Sequence, residues 1–552
     1  MGRAFSNSYL AGEPAAHAFF APRFRDPAER IARARLAAER TTLPALLQVL
    51  REQQASLPTS AARQANLDAL AAGKTAVVVT GQQIGLFLGP LYAFYKAASA
   101  IAVARAIEAE SGVRCVPLFW LQTEDHDFAE VSSCTVAGRN GEPVRLVLRD
   151  GGGDGGGDAG GGDRASVAYR TLPAQVSELL DGLAEALEPG PAAEETLGLL
   201  RAHYQSGRSM AGAFAQVMAA VFAEEGLLIF NPRDARVAEL AAPVYRTCIE
   251  NCESLEASLH ARRDALTAAG FKEQVAVRER GSLVFFHRGS ATGPRFRIQR
   301  KVASTGEVSW ALAGSAESVR HEDLLRTLAA EPLRFSTSAL LRPMVQDILL
   351  PTLAYVGGPG EINYFAQLGP LYAHFGLAPP LLVPRARFRC VDARARRWLG
   401  QLGLASADLS LSKDQLRARL AVKLPEGAPD PTQLRALVES QIVPALDKIA
   451  ASVAAADAHL QRPARRVRAG VAHGLERLIA RYARTLVERD ETTLRRLRRL
   501  ELALVPEGVP QERYYSWPSL AGRHGIVELK RLAFEKLQAS GPFATEVQDL
   551  QP

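Results

Sequence analysis

The alternation of apolar and polar positions changes abruptly near residue 71, where a predicted α/β core begins. Residues 25–71 are rich in Ala, Leu, Arg and Glu, a composition typical of helix, whereas residues 76–79 form the β-branched run AVVV. A helical stretch from 91 to about 110 and the apolar run 115–120 come next. Short apolar runs of this kind predict buried strands. The order of strand, helix and strand predicts a βαβ unit with parallel strands and a right-handed crossover.

The same pattern stops and resumes twice further along the chain, which predicts a core with two insertions. Helical signals fill 173–223, and an apolar run follows at 227–230. Short extended segments between about 273 and 312 predict a small antiparallel meander. Apolar runs then return at 352–356 and 381–383. Strands that alternate with helices in this way predict a doubly wound α/β fold with a parallel sheet.

Beyond residue 400 the pattern becomes helical, and one apolar seam indicates a coiled coil. The segment from Val471 to Leu500 can fold back after Arg462-Pro463 and form an antiparallel hairpin with that seam. Because the seam presents more apolar surface than one antiparallel helix covers, we expect a homodimer through this arm. The seam residues, spaced alternately by four and three, are Ile442, Leu446, Ile449, Val453, Ala456 and Leu460.

Composition places the chain among globular proteins with more than one domain. With 552 residues the chain is longer than a domain with a single hydrophobic core. Hydrophobic residues make up 47% and charged residues 23%, a composition that disfavours wholesale disorder and collagen-like repeats. Lys and Arg number 66 against 59 Asp and Glu, which gives a net charge of +7. The Arg-rich stretches after residue 385 also carry leucines at helical spacing, so a solvated helix face is favoured over a nucleic-acid track. The net positive charge is also compatible with a small anionic substrate.

Cysteine usage and the lack of long apolar runs bear on the compartment. The five cysteines form no regular framework. Cys248 and Cys252 form a single C-x3-C pair, predicted to lie one turn apart in an amphipathic helix, where buried structural thiols are favoured over a metal or redox pair. No apolar segment reaches about 18 residues and no signal peptide is recognisable, so we expect a cytoplasmic protein without a membrane partner. The tract 151–163 is almost entirely Gly and Asp, which predicts a disordered surface loop.

Ligands of doubly wound sheets bind beyond the carboxyl ends of the strands, so the loops after residues 79, 120 and 356 form the candidate site. The first loop combines flexible backbone with hydroxyl and amide groups. It leads through Gly89-Pro90 to a helix N-terminus suited to an anion. The alternative is a tight turn with only a packing role. The candidate substrate- or nucleotide-binding residues of this first loop and helix are Thr80, Gly81, Gln82, Gln83, Gly89, Tyr92 and Lys96.

The second loop holds four ionisable residues just past the strand that ends at Trp120. Carboxylates there can hold Mg²⁺ for a nucleotide or act as a general base toward an amine, and the alternative is a solvated turn. The third loop, 357–361, lets the backbone approach a phosphate or carboxylate closely. The candidate catalytic residues of the second loop are Glu124, Asp125, His126 and Asp127, and the candidate binding residues of the third are Gly358, Gly360, Glu361 and Asn363.

Several familiar motifs do not occur in the sequence. Asn363 takes the last glycine position of a G-x-G-x-x-G fingerprint, and Asp68 takes the first glycine position of a Walker A loop. There is no G-x-S-x-G elbow and no H-E-x-x-H helix, which disfavours the common hydrolases.

Five sequence blocks resemble signature blocks of the BshC family and extend over nearly the whole chain. The resemblance implies a Rossmann-like core with two connecting insertions, followed by an α-helical coiled coil used for dimerisation. The blocks are TGQQIGLFLGPLYAFYKA (80–97), FWLQTEDHDFAEV (119–131), RPMVQDILLPTLAYVGGPGEINYFAQL (342–368), HFGLAPPLLVPR (374–385) and LVPEGVPQERYYS (504–516).

The resemblance and the pattern together predict four segments. They are an N-terminal helical segment at 1–70, a Rossmann-like core at 71–385 with insertions at about 132–222 and 255–335, a coiled-coil arm at 386–505, and a C-terminal segment at 506–552 that packs on the core.

The resemblance also implies a reaction, the addition of L-cysteine to glucosaminyl-malate in bacillithiol biosynthesis through a carbon–nitrogen amide bond. Because a free carboxylate needs activation in water, it implies ATP as co-substrate, accompanied by Mg²⁺, by analogy with class I synthetase-like cysteine ligases. No tightly bound metal is predicted. In this interpretation Gln82, Gln83 and Tyr92 orient the substrate, loop 124–127 manages metal or proton, and the Gly358 loop frames the anionic end.

Two other functions stay open on the sequence alone. The H-I-G-H and K-M-S-K-S signatures of class I synthetases are missing, and Ser412-Lys413 is too short a likeness, so adenylation rests on fold analogy. A non-catalytic, nucleotide-binding scaffold in the same pathway is therefore the main alternative. An RNA-binding relative of the synthetases rests only on arginine content, so no nucleic-acid partner is expected.

Overall fold

The computed structural model of the protein describes residues 2–149, 164–421, 429–488 and 490–552. The Gly/Asp tract 151–163, which the sequence predicts as a surface loop, lies outside these residues. The chain divides into two compact units. The first unit comprises Met1–Arg139, Pro143–Phe388 and Tyr515–Gln548, and the second comprises Asn140–Glu142, Arg389–Tyr514 and Asp549–Pro552.

Five parallel strands form the central sheet of the first unit, in the spatial order β5-β4-β1-β2-β3. The side chains of 76–79 are fully buried, as expected for a parallel sheet, whose strands carry continuous apolar runs. The predicted fold class, an α/β fold with a Rossmann-like parallel core, is confirmed. The strands are β1 (Thr75–Gln82), β2 (Arg114–Leu121), β3 (Leu228–Phe230), β4 (Thr352–Gly357) and β5 (Leu381–Pro384).

The helix Leu91–Ser111 connects β1 to β2 and is buried around most of its circumference. It ends at Gly112, whose φ of +70° lies in the left-handed region that glycine adopts without a steric penalty. The helix therefore follows the pattern predicted for 91 to about 110, and it places its first turns beside the carboxyl end of β1.

The region 25–71, predicted as helical, folds as three helices, Pro27–Ala38, Pro44–Ala55 and Ala61–Ala72. Pro44 opens the second helix, and proline disfavours a helical conformation at the residue before it. The Ser60 side chain accepts a hydrogen bond from the Arg63 amide and so caps the third helix. Two short helices, Phe5–Leu10 and Pro14–His17, precede this region.

Two further sheets belong to the insertions. The strands Ser133–Ala137 and Pro143–Val147 pair as an antiparallel hairpin. The predicted meander is a five-stranded antiparallel sheet, but residues 275–277 are not one of its strands, since the Val275 amide donates to the Gln367 side chain. In spatial order its strands are Phe335–Thr337, Gly281–His287, Arg295–Val302, Val308–Leu312 and Ser318–Arg320.

The rest of the first unit is helical. None of the described helices is long and apolar enough to cross a membrane. Helix Ile526–Ser540 packs on helix Leu91–Ser111. The remaining helices of this unit are Phe128–Val131, Gln175–Ala186, Pro191–His203, Met210–Val221, Ala235–Glu250, Cys252–Ala268, His321–Ala330, Arg342–Leu349, Pro359–Phe365, Gly369–His374 and Pro518–His524.

The C-x3-C pair does not lie within one helix as predicted. Cys248 is near the end of helix Ala235–Glu250, the chain breaks at Asn251, and Cys252 begins the next helix. Both thiols are buried and unpaired, and burial raises the pKa of Cys252 to about 11. Buried thiols with a raised pKa are poor nucleophiles, which agrees with a structural role.

The second unit is helical and contains the predicted hairpin, made by Val443–Ala456 and Gln461–Glu488. Ion pairs from Arg468 to Asp447 and from Arg435 to Glu476 show that the two arms run antiparallel. The other helices of this unit are Ala393–Leu402, Lys413–Ala421, Pro431–Leu437, Glu491–Leu504 and Gln511–Tyr514. The strands Arg387–Cys390 and Val547–Leu550, each with residues assigned to both units, pair with each other.

The hairpin turn is not where the sequence predicted it. The chain reverses at Asp457–Leu460, and Pro463 lies in the first turn of the long helix, where a proline costs no helical hydrogen bond. The seam predicted from Ile442 to Leu460 has no buried residue in helix Val443–Ala456, and the Ile449 side chain is 61% exposed.

Candidate active site

The candidate site lies at the carboxyl ends of β1, β2 and β4. From β1 the chain continues to β2 and β3 on one side, and it later returns to place β4 and β5 on the other. Such a reversal of strand order between β1 and β4 opens a crevice between the loops that leave those strands. All three loops predicted from the sequence end at this edge.

A buried ion pair joins the first loop region to the third. The Lys96 ammonium lies 2.5 Å from the Glu361 carboxylate and also donates to the Gly81 carbonyl at 2.7 Å and the Gln82 side-chain oxygen at 3.0 Å. An ammonium has three protons, and these three acceptors use all of them. Lys96 therefore links the end of β1 to the helix that follows the Gly358 turn.

Charge and burial work against each other in this pair. Burial, with the Arg385 and Arg342 cations nearby, lowers the pKa of Lys96 despite the attraction of Glu361. Burial disfavours ionisation of Glu361, but Lys96, the Tyr355 hydroxyl and the Gly358 amide together hold its pKa below the usual value. The attraction between the two groups thus offsets part of the cost of burying them, at a site where fixed donors and acceptors replace solvent.

The predicted anion positions at two helix starts are already occupied by the protein. The Gly358 amide donates to the Glu361 carboxylate at 2.7 Å, so the third loop holds its own anion. The Leu91 amide, at the start of the helix after β1, donates to the Tyr515 carbonyl at 3.0 Å. Gly360 retains open space around its Cα, with no atom within 4 Å of the Cβ position.

A second polar cluster is built by the loop after β2 and by the antiparallel sheet of the insertion. Glu124 accepts hydrogen bonds from the hydroxyl and the amide of Thr337. The Asp125 carboxylate lies 3.5 Å from Arg295, whose side chain is 6% exposed, while Asp125 itself is 40% exposed. His126 lies beside both, with its Nδ1 atom 3.1 Å from the Arg295 guanidinium.

The electrostatics of this cluster favour an ionised Asp125. Partial burial opposes ionisation, but the neighbouring His126 and the positive charge of Arg295 hold the pKa of Asp125 well below its usual range. A carboxylate with such a low pKa is a weak base at neutral pH. Asp125 is therefore suited to hold a cationic group rather than to accept a proton.

One hydrogen bond connects the two clusters across the crevice. The Gln83 side-chain amide donates to Asp125 at 3.0 Å. On the other side of the first loop, Gln82 donates to the Tyr92 hydroxyl at 3.2 Å, and the Arg385 guanidinium lies 5.5 Å from the centre of the Tyr92 ring. The structure thus brings the three predicted loops into one continuous polar edge.

Three predicted site residues have structural partners instead of a place on this edge. The Thr80 hydroxyl is buried and donates to the Val356 carbonyl of β4. Asn363 accepts from the Ser6 amide at 2.7 Å and donates to Gln274. Asp127 is exposed and caps helix Phe128–Val131, which makes it the solvated turn residue that the alternative interpretation described.

The turn after β1 has an unusual backbone. Phe87 and Leu88 have φ values of +51° and +74°, a region that side chains other than glycine adopt at a cost of about 1 kcal/mol or more. Gly89 follows with a φ of +67°. A Cβ atom on Gly85 would lie 2.7 Å from the Cα atom of Gly89. The Leu88 amide donates to the Tyr204 hydroxyl, which holds the turn in place. The loop after β1 thus contains a tight turn, with Gly89 needed for its shape.

Four residues of the site were missed by the sequence prediction. Arg385 follows β5 directly, so the rule that points to strand ends could have identified it. Tyr355 lies within β4, and Arg295 and Thr337 lie on strands of the insertion sheet, where no local signal marks them.

Among the residues that the structure describes, no three His, Cys, Asp or Glu side chains are arranged to hold a metal ion.

Comparison with known proteins agrees with this architecture. Residues 2–386 match the N-terminal Rossmann-like domain of the bacillithiol biosynthesis family BshC, and residues 388–543 match its C-terminal coiled-coil domain. A protein of Salinibacter ruber named "Putative cysteine ligase BshC" is 31% identical over 487 residues, 88% of this chain and 85% of that protein. Proteins of the same name from Koribacter versatilis and Solibacter usitatus are each 32% identical and cover 87% of this chain and 85% of their own length.

Proposed function

The chain belongs to the BshC family of bacillithiol biosynthesis, and on that basis we propose that it is a ligase that joins L-cysteine to glucosaminyl-malate through an amide bond. The relatives in the comparison carry the name of cysteine ligases. The reaction forms a carbon–nitrogen bond at an activated carboxyl carbon, and the amine loses a proton as it attacks.

The observation that carries the proposal is the continuous polar edge at the carboxyl ends of β1, β2 and β4, joined by the Gln83–Asp125 hydrogen bond. An amine substrate arrives largely as an ammonium ion at neutral pH, since the usual amino pKa is about 8. The ionised, partly exposed carboxylate of Asp125 is placed to hold that ammonium. Holding the amine beside the acyl group lowers the entropic cost of the encounter.

The acyl half of the reaction needs a leaving group, for which we propose ATP as co-substrate with Mg²⁺ as its counter-ion. Attack of a carboxylate oxygen on a phosphorus atom of ATP forms an oxygen–phosphorus bond while a phosphoanhydride bond breaks and pyrophosphate or ADP leaves. Attack of the amine on the activated carbonyl carbon then forms the carbon–nitrogen bond, breaks the carbon–oxygen bond and releases AMP or phosphate, respectively. Among the described residues, the crevice offers the Glu124 carboxylate to a hydrated Mg²⁺, which needs only one or two protein carboxylates.

A nucleotide-binding scaffold without catalysis is the second candidate. One observation favours it: the Gly358 amide, which was predicted to receive a substrate anion, is bonded to Glu361. A scaffold of this kind would bind nucleotide but leave cysteine and glucosaminyl-malate unchanged.

The seam of the helical hairpin supports a homodimer as part of the proposal. Ile449, Val467 and Leu478 are each more than 60% exposed, although they lie at apolar positions of the two arms. Exposed apolar side chains that repeat along a helical hairpin are typical of a surface that another copy covers.

The test is to incubate the protein with cysteine, glucosaminyl-malate and Mg-ATP and to follow product and nucleotide by mass spectrometry. We expect an amide product, and the nucleotide formed, AMP or ADP, identifies the activated intermediate. Asp125→Asn should abolish product, whereas Asp181→Asn, at an exposed surface ion pair, should not. Nucleotide binding without product in the wild type would favour the scaffold and refute the ligase.

A further inference from the structure

The guanidinium of Arg295 is held in one orientation by contacts on every side. Its Nε donates to the Ser336 hydroxyl at 3.0 Å, its Nη2 donates to the Thr337 carbonyl at 2.8 Å, and its Cζ atom lies 3.8 Å from the centre of the Phe285 ring. The remaining nitrogen, Nη1, points at Nδ1 of His126, 3.1 Å away. Arg295 therefore cannot turn away from His126 without breaking these bonds.

The proton positions next to Arg295 are also determined. Burial and the nearby Arg233 cation lower the pKa of His287 to about 3, so this histidine is neutral. Its Nδ1 donates to the Gly293 carbonyl at 3.1 Å, which makes its Nε2 the acceptor of the Ser336 hydroxyl at 3.2 Å. Because the Ser336 proton is used in this way, the Ser336 oxygen is free to accept from Arg295.

The contact between Arg295 and His126 has only one compatible assignment for a neutral imidazole. A guanidinium carries five N–H donors and no acceptor, so Nδ1 of His126 must be the acceptor. The ring proton then resides on Nε2. Asp125 offers a competing arrangement, since its Oδ1 lies 3.4 Å from the same Nδ1 atom. A proton on Nδ1 would, however, bring two N–H donors together at 3.1 Å, and the same Oδ1 already accepts from the His126 amide at 2.7 Å.

We propose that Arg295 is a positioning residue that fixes His126 as the Nε2–H tautomer, so that His126 donates a hydrogen bond to an oxygen of the substrate instead of acting as a general base. The proposal rests on the proposed ligase function for the identity of that oxygen. Nε2 of His126 has no hydrogen-bond partner in the described part of the protein, and the side chain is 31% exposed.

The chemistry of amide formation gives this donor a use. When the amine attacks, the carbon–nitrogen bond forms and the carbonyl oxygen gains negative charge, which an N–H donor stabilises. The carbon–oxygen bond to the leaving group then breaks and the carbonyl re-forms. The bound ammonium loses one proton to water before it attacks, and the second proton, released as the carbon–nitrogen bond forms, goes to water or to the departing phosphate group, because Nε2 of His126 already carries a proton.

The tautomer can be read directly by magic-angle-spinning NMR of the protein labelled with ¹⁵N-histidine, at a pH about two units above the ordinary histidine pKa of about 6.5. The difference between wild type and His126→Gln identifies the His126 signals among the 10 histidines. We expect an unprotonated Nδ1 and a protonated Nε2. A protonated Nδ1 in the wild type overturns the proposal, whatever the activity of the protein.

Arg295→Met tests the cause of the tautomer. Without the guanidinium, Nδ1 should take the proton and donate to Asp125, so the two ¹⁵N signals should exchange character. Arg297→Met is the matched control, because Arg297 lies two residues further on the same strand and over the same Phe285 ring, without a contact to His126. Unchanged signals in Arg295→Met would mean that Arg295 does not fix the ring. The wild-type spectrum decides the tautomer even if this variant fails to fold.

Activity separates the donor from a base. The amide nitrogen of Gln can replace Nε2 of a histidine, whereas that of Asn lies nearer the position of Nδ1. We expect His126→Gln to keep product formation within roughly tenfold and His126→Asn to lose about 100-fold or more, the usual cost of removing one such donor. Equal, near-complete losses in both variants overturn the donor role. A wild type that forms no product refutes the ligase, and the spectrum then tests the tautomer independently.

Discussion

Replacing Glu361 by Gln should destabilise the protein by leaving a buried ammonium without its counter-ion. The substitution is close to isosteric, and the Gln oxygen can still accept from Lys96 and the Gly358 amide, so the change is mainly one of charge. The Lys96 side chain is 3% exposed and that of Glu361 is 16% exposed. Removing one partner of a buried pair typically costs about 3–5 kcal/mol, and we expect a loss in that range.

The loss should shrink as the pH rises. Burial lowers the pKa of Lys96, so the unfolded chain binds more protons than the folded chain between the folded and unfolded pKa values. Stability contributed by this group therefore increases with pH in that interval. Without Glu361 the pKa of Lys96 falls further, and the penalty of the variant should therefore decrease as the pH rises.

Urea unfolding of wild type and variants at a series of pH values measures both effects. Glu361→Gln combined with Lys96→Met removes both charges and should recover a large part of the loss, which a double-mutant cycle quantifies. Glu29→Gln removes one partner of a partly exposed i,i+4 pair with Arg33 and should cost no more than about 0.5–1 kcal/mol. A loss below about 1 kcal/mol for Glu361→Gln, or one that grows with pH, would refute the reasoning.

Two further predictions concern the hairpin and the glycines. Ile449→Glu, in the exposed seam, should convert a dimer to a monomer without loss of helix content, as read by light scattering and circular dichroism, and a monomeric wild type at micromolar concentration would contradict it. Gly81→Ala places a Cβ 2.8 Å from the Trp120 carbonyl and should cost about 1–3 kcal/mol, whereas Gly360→Ala, with open space in a helix, should stabilise by up to about 1 kcal/mol in thermal unfolding.

The sheet could be predicted from the sequence because its strands are buried on both faces. A strand such as β1 must be apolar at every position, and a β-branched run of this kind contrasts with the helical segments around it. The helix between β1 and β2 was predictable for the same reason. The break at Pro44 shows what composition alone misses, because two helices separated by a short turn share the composition of one long helix.

The candidate site could be predicted only as far as the topology determines it. Strand ends converge in a doubly wound sheet, so the positions of Gln83 and Asp125 followed from the order of strands. Arg295 could not be predicted, because its place beside His126 depends on how the antiparallel sheet packs on the core. Glu361 was predicted as a site residue, but its bonds to Lys96 and Gly358 were not. A carboxylate near a glycine turn can equally well contact a ligand or cap a helix.

The carboxylate of Glu361 on the Gly358 amide has a consequence for ligand screening. A group joined to its target by a few peptide bonds acts at an effective concentration in the millimolar range or above. A free carboxylate or phosphate fragment, soaked at millimolar concentration, competes with that tethered occupant and with the Lys96 charge it neutralises. Fragment libraries directed at this turn should therefore be rich in neutral and cationic compounds, which do not have to displace a competitor that the chain itself provides.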